Sequence, residues 1–121
     1  MKYDCLFIGN AIVDILTDVS FEYMHDQGIE PGSWRPVEKE EIKKLQSAIT
    51  NITVASGGSA ANSAVGLSFL GGSSAFIGRV KNDNLGLDYI KDMDDAGVKF
   101  SSNPSKSGLD TGRCLVYVCL L

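Results

Sequence analysis

Two adjacent glycines, Gly57 and Gly58, stand where a short β-branched run, Ile52-Thr53-Val54, gives way to a helical pattern. Ser59-Ala60-Ala61 follow, and Asn62 comes one helical turn after Gly58. Glycine has no Cβ, so the backbone can turn sharply there and a ligand can approach it closely. The first N–H groups of a helix have no partner inside it and face outward as donors. Asn62 adds a side chain that both donates and accepts. Such a set suits a neutral, hydroxyl-rich ligand such as a sugar. Two bare glycines are explained equally well by a tight strand-to-helix connection. The small residues that keep the helix start open, and an asparagine at an interior helical position that it does not favour, shift the reading toward a ligand site.

Asn10 and Asp14 form a second candidate cluster. Asp14 interrupts an apolar strand, with Ile12-Val13 before it and Ile15-Leu16 after it. Taken alone, it is most simply an outward-facing residue on a half-solvated strand. As a ligand group, a carboxylate accepts hydrogen bonds from two neighbouring hydroxyls, which suits a vicinal diol. Gly9-Asn10 closes the first strand, and open α/β sheets bind ligands at the carboxyl ends of their strands. The remaining candidates read as structural. His25 lies among Glu22, Asp26 and Gln27 and is expected in solvent, and Lys39-Glu40-Glu41 with Lys43-Lys44 is a solvated helix face. Trp34 is assigned to packing, with an apolar wall beside a ligand as its second reading. Arg113 is assigned to a surface ion pair. No phosphate loop is complete: G-x-x-x-x-G-K-[ST] is absent, and Gly57-Gly58-Ser59 does not extend to G-x-G-x-x-G, so a nicotinamide Rossmann module is a weak alternative.

The elements that must position these residues follow from periodicity. Tyr3 to Gly9 reads as a buried strand. Ala11 to Val19 reads as a half-exposed one, with Ile12, Asp14, Leu16 and Asp18 opposite Val13, Ile15 and Thr17. Ser20 caps a short helix that Gly28 stops. Lys39 to Ile49 is amphipathic, with Ile42, Leu45 and Ile49 on one face. A strand over Ile52 to Ala55, a helix to about Leu70, a strand over Ser74 to Val80, a helix over Asn84 to Ala96 and a strand over Val98 to Ser101 then alternate. Leu85, Tyr89 and Met93 share one helical face. Asn103 to Gly112 is a polar loop, and Cys114 to Leu121 is a strand of nearly unbroken hydrophobicity. The alternation from residue 52 to 101 argues a parallel sheet covered by helices, and the strands outside that rhythm are expected to form a small accessory sheet.

The 121 residues are 44% hydrophobic and 21% charged, the composition of a globular protein, and suffice for one domain. A formal charge of −4 argues against non-specific nucleic-acid binding. No apolar run approaches the ~20 residues of a membrane span, and the N-terminus lacks signal-peptide character. Cys5, Cys114 and Cys119 are expected to be reduced thiols in a cytoplasmic protein, without zinc spacing. The chain stops inside Val116-Tyr117-Val118-Cys119-Leu120-Leu121, so the expectation is the front part of a longer design.

Together these residues resemble the ribokinase-like carbohydrate and nucleoside kinases of the PfkB family. Tyr3 to Asp14 looks like that family's first strand and substrate aspartate. Gly57-Gly58-Ser59-Ala60-Ala61-Asn62, then Gly71-Gly72, Ile77-Gly78-Arg79-Val80, Asp83-Asn84-Leu85-Gly86 and Ala96-Gly97-Val98, is similar to its N-terminal signature region. Gly32-Ser33-Trp34-Arg35 and Ser59 are similar to the bacterial adenosine-kinase-like branch. The resemblance implies a single domain portion over 1–121: the N-terminal part of a ribokinase-like αβα sandwich, α/β with a mostly parallel sheet and a small β lid from strands near 11–19 and 113–121. It implies ATP-dependent phosphoryl transfer to a primary hydroxyl of a nucleoside or sugar. Asp14, Gly58 and Asn62 would hold ribose-like hydroxyls, and Asn10, Gly57 and Ser59 would line the pocket. The family's Gly-Ala-Gly-Asp segment, with the catalytic base and anion hole, has no match in this sequence, so no catalytic or metal residue is assigned here. ATP and Mg2+ would belong to the complete enzyme, with neither held tightly by this chain, which alone is expected to be inactive. A homodimer through lid or edge strands is implied as well. The alternative is a non-catalytic fragment that binds nucleoside or self-associates.

Overall fold

The computed structural model describes residues 2–120. In chain order the elements are β1 (Cys5–Ile8), β2 (Ile12–Val19), α1 (Phe21–Asp26), α2 (Lys39–Ser47), β3 (Ile52–Gly57), α3 (Ser59–Phe69), β4 (Ser74–Ile77), α4 (Asn84–Asp95), β5 (Val98–Phe100) and β6 (Gly112–Cys119). They fall into two compact units. The first joins the residues up to Val13 with Ser56–Cys114, and the second joins Asp14–Ala55 with the residues from Leu115 onward.

The first unit is an α/β layer. β4 lies between β1 and β5 and pairs parallel to both. The register aligns Phe7 with Phe76 and Phe76 with Phe100, so three aromatic side chains cross one face of the sheet. Helix α3 packs on β1 and β4, and α4 packs on β5. Alternating side chains of each strand face the same way, so the Phe row is the face that these helices cover. Tyr89 of α4 completes the core, its ring centroid 6.3 Å from Phe76 and 6.0 Å from Phe100. Met93, one turn further along α4, is buried beside it in sequence, as the shared helical face requires.

Two expectations change here. The first strand is not buried on both sides: Leu6 is 52% and Ile8 70% exposed. Helices cover only the Phe7 face of β1, and a continuous apolar run does not reveal which face is left open. The strand at residue 52 also leaves the parallel rhythm. Its neighbour is β2, in a second sheet of order β3-β2-β6. Ile52, Thr53, Val54 and Ala55 are all exposed, whereas a strand inside a parallel sheet is buried on both faces.

The second unit contains most of that sheet with α1 and α2. Burial along β2 alternates as expected: Val13, Ile15 and Thr17 are buried, and Ile12, Asp14 and Leu16 are half-buried. Ser20 caps α1, its Oγ accepting from the Tyr23 N–H at 3.0 Å, and Gly28 follows the helix at φ 66°. Ile42 buries the apolar face of α2. The rings of Tyr23 and Tyr117 meet at 6.2 Å, and among the described residues neither buried hydroxyl has a partner. Burial, and then the neighbouring Tyr23 phenol, pushes the Tyr117 hydroxyl pKa up. Trp34 does not pack as expected: it is 80% exposed in a turn-rich stretch. His25 is solvated, 3.6 Å from Asp26. The closing strand begins at Gly112, earlier than the sequence suggested, and the end assigned to Leu121 lies outside the described residues.

The polar loop before β6 is pinned rather than loose. Arg79 Nη2 donates to the carbonyls of Ser107 and Leu109 at 3.0 and 2.9 Å. Lys81 Nζ meets Asp110 at 3.0 Å. Arg113 also faces Asp110, at 3.8 Å, with its side chain only 17% exposed, so the ion pair assigned to it is partly buried. Asp83 caps α4 by accepting from the Gly86 N–H at 2.8 Å, and it accepts from the Thr111 hydroxyl at 2.6 Å and the Thr111 N–H at 3.0 Å. Burial pushes the Asp83 pKa up, but these bonds outweigh it and hold the group below its ordinary value.

A group with a depressed pKa stabilises the fold above its unfolded pKa and loses that contribution as pH falls through the folded one. Asp83→Ala should therefore cost about 1–2 kcal/mol at neutral pH, as loss of a cap does. That cost should shrink once pH drops below about 4. Urea denaturation of both proteins at pH 7 and pH 3 checks it.

Candidate functional site

Five of the six candidate residues gather in the first unit, around the start of α3. Gly57 ends β3 and is buried, and its carbonyl accepts from the Tyr89 hydroxyl at 2.8 Å. Gly58 takes the cap position of α3 at φ 102° and ψ 134°. A side chain is excluded there twice over. Positive φ is costly for any residue with a Cβ, and a Cβ at Gly58 would collide with the carbonyl oxygen of Asn10. That near-contact places the turn directly against the segment that follows β1. At the other end of that segment, a Cβ at Gly9 would stand 2.7 Å from the Ala60 Cβ, so α3 begins in close approach to the end of β1.

The helix start carries no charge of its own. The Gly58 carbonyl accepts from the Asn62 N–H at 2.9 Å, which closes the first turn. No side chain caps that end, and the first turn holds no acidic residue. The leading N–H groups therefore keep the partial positive charge of a helix N-terminus. Ser59 and Asn62 are exposed, as is Asn10. Ala61 and Ala64 turn the opposite side of α3 into the core, both fully buried. Backbone donors, the Ser59 hydroxyl and the carboxamides of Asn10 and Asn62 thus belong to this region, and the charged group recorded next to it is the Asp92 carboxylate, which accepts from the Ser56 hydroxyl at 2.6 Å. Such a surface recognises neutral hydroxyls and carbonyls by directional hydrogen bonds.

Asp14 is assigned to the second unit, half-buried on β2, and its carboxylate has no hydrogen bond or ion pair among the described residues. The candidate that periodicity did not single out for the site is Tyr89, which the sequence marks only as a core position. Its hydroxyl was the available signal: a buried tyrosine needs a partner for its O–H where phenylalanine would not. Among the described residues, no three His, Cys, Asp or Glu side chains stand close enough to hold a metal ion.

Comparison with known proteins gives first the class. The chain superimposes on an adenosine kinase from Sinorhizobium meliloti with a TM-score of 0.88 at 36% identity, over 98% of this chain and 36% of that one. A probable sugar kinase protein from Rhizobium etli matches with a TM-score of 0.87 at 33% identity, over 97% of this chain and 36% of its own. The fold is thus the α/β, mostly parallel, ribokinase-like one. In sequence, a probable fructokinase-7 from Arabidopsis thaliana is 46% identical over 54 residues, 40% of this chain and 16% of that protein. The model of the pfkB family carbohydrate kinases matches residues 34–119. The chain belongs to the pfkB carbohydrate kinase family, and it spans about a third of the length of the solved kinases it matches.

Gly58→Ala should destabilise the protein by about 1–3 kcal/mol, from strained φ and from overpacking against Asn10. Gly66→Ala is the contrast, since a Cβ there meets nothing within 4 Å. In a helix interior that change should stabilise by about 0.5–1 kcal/mol. Thermal melts of the two variants should move in opposite directions.

Proposed function

We propose that this chain forms the acceptor-binding part of an ATP-dependent kinase that phosphorylates a primary hydroxyl of a nucleoside or sugar. The observation that carries the reading is the glycine turn at Gly57-Gly58, packed on Asn10 and leading into a helix start whose first turn, through Asn62, holds no charged residue, within a chain of this family. In this reading Gly57 and Gly58 let the acceptor lie against bare backbone. Asn62 donates to and accepts from ribose-like hydroxyls, and Asn10 and Ser59 line the pocket. The Asp14 carboxylate accepts from two neighbouring hydroxyls, which selects a vicinal diol. It binds rather than acts as base, because hydroxyl binding is the role that its matched position in the family implies. The family's adenosine kinase at 36% identity favours an adenosine-like acceptor.

The sheet β3-β2-β6 would serve as the lid, closing over the acceptor so that water does not compete for the transferred group. ATP and Mg2+ would be held by other parts of the complete enzyme. Together they would supply the phosphoryl group and neutralise its charge, and no step through them is assigned to residues of this chain. Alone, the chain is expected to turn over no ATP. The exposed Ile52 and Val54 of β3, 43% and 49% accessible, favour a second role for the same sheet as the contact of a homodimer, since an apolar edge invites strand pairing. A cytoplasmic site of action fits the reading. Among the described residues no helix is long and apolar enough to cross a membrane.

Calorimetric titration of the chain with adenosine and with ribose tests the proposal. Adenosine should bind saturably. Asp14→Asn should weaken it about tenfold or more, as expected for loss of a hydrogen bond to a charged group. Equal affinity of the variant would remove Asp14 from the site, and absence of any binding would overturn the acceptor-binding role.

A further inference from the structure

We infer that Tyr89 is a positioning residue for the acceptor, acting through the peptide that joins Gly57 to Gly58. The inference rests on the acceptor-binding role proposed above. A Gly-Gly pair is the most conformationally free dipeptide a chain can contain. Left to itself, the peptide between Gly57 and Gly58 would sample several orientations. Tyr89 removes that freedom. Its side chain is fully buried, and its hydroxyl donates to the Gly57 carbonyl at 2.8 Å. No peptide bond among the described residues is cis. In a trans, planar peptide the carbonyl and the following N–H point in opposite directions. Drawing the Gly57 carbonyl toward the buried phenol therefore turns the Gly58 N–H away from it, out of the core. That N–H stands at the head of the donor row that opens α3.

Tyr89 is itself held on every side that matters to this geometry. Its ring sits 6.3 Å from Phe76 and 6.0 Å from Phe100. The helix that carries it is capped by Asp83, which the Thr111 hydroxyl and N–H grip in turn. One turn along α4, Asp92 Oδ2 accepts from the Ser56 hydroxyl at 2.6 Å, on the residue just before Gly57. Two contacts from one face of α4 thus clamp the last two residues of β3, one in the core and one at the surface. The Gly57 carbonyl is buried, so turning it away would leave it without this bond inside the core, an outcome that costs more than the bond itself is worth.

Tyr89→Phe keeps the ring packing and removes only the hydroxyl. Met93→Ala, on the same buried face of α4, serves as the control, because it destabilises without removing the hydroxyl that bonds the Gly57 carbonyl. Adenosine affinity is measured by calorimetry at a temperature where all proteins are folded. Amide exchange at Gly58 and Ser59 is followed by NMR. Tyr89→Phe should weaken adenosine about fivefold to tenfold, the range of a single hydrogen bond, and speed exchange at Gly58 by at least as much. Met93→Ala should lower stability and change neither. Wild-type affinity in Tyr89→Phe, or an equal loss in both variants, would overturn the inference. If the wild-type chain binds no adenosine, the acceptor-binding role fails, and exchange decides alone: unchanged rates at Gly58 in Tyr89→Phe would refute Tyr89's hold on the peptide. Should Tyr89→Phe not fold, Asp92→Ala, at an exposed position, removes the companion clamp. It should speed exchange at Gly57 and Gly58, and unchanged rates there would equally count against the proposal.

Discussion

The first unit depends on one close approach of backbone to backbone. The carbonyl of Asn10 fills the space that a Cβ at Gly58 would need. Because only glycine fits there, the chain can pass from β3 into α3 hard against the end of β1. That proximity sets where α3 begins, brings Ala60 onto Gly9, and directs Ala61 and Ala64 into the core. With the apolar side of the helix committed to the sheet, Ser59 and Asn62 are left facing solvent beside Asn10. The candidate site is thus the exposed remainder of a packing solution.

Polar contacts between distant parts of the sequence make that solution rigid. Asp83 joins the start of α4 to Thr111, 28 residues on. Tyr89 joins the middle of α4 to Gly57, 32 residues back. A helix fixed at its cap and at its centre transmits order from the loop before β6 to the glycine turn. The neutral Tyr89 bond is worth only about 1 kcal/mol net and a bond to the Asp83 carboxylate about 1.5–3 kcal/mol, yet each also spares a partly or fully buried acceptor the loss of its bond. Such networks are therefore costly to break at any single member.

Much of this was legible in the sequence where the deciding forces are local. The Gly-Gly junction, the asparagine one turn later and the shared face of Leu85, Tyr89 and Met93, on which Tyr89 and Met93 are buried and Leu85 half-buried, follow from backbone sterics and helical period. The alternation along β2 set Val13, Ile15 and Thr17 opposite Ile12, Asp14 and Leu16, and the structure makes the first set the buried one. Where partner choice is non-local, the reading failed. Ile52-Thr53-Val54 has the composition of a strand, but composition does not name a neighbour, and β3 lies beside β2 instead of in the parallel sheet. The open face of β1 and the exposure of Trp34 were hidden for the same reason. Asp14 could be marked as an anomaly in an apolar strand, while the grip of Thr111 on Asp83 had no local signature at all.

The role given to the glycine turn is tested most directly by titrating adenosine into the isotopically labelled chain and following every backbone amide by NMR. Saturable shifts centred on Gly58, Ser59 and Asn62 are predicted. Saturable binding whose shifts leave those residues unmoved and cluster elsewhere, such as along α2, would contradict it.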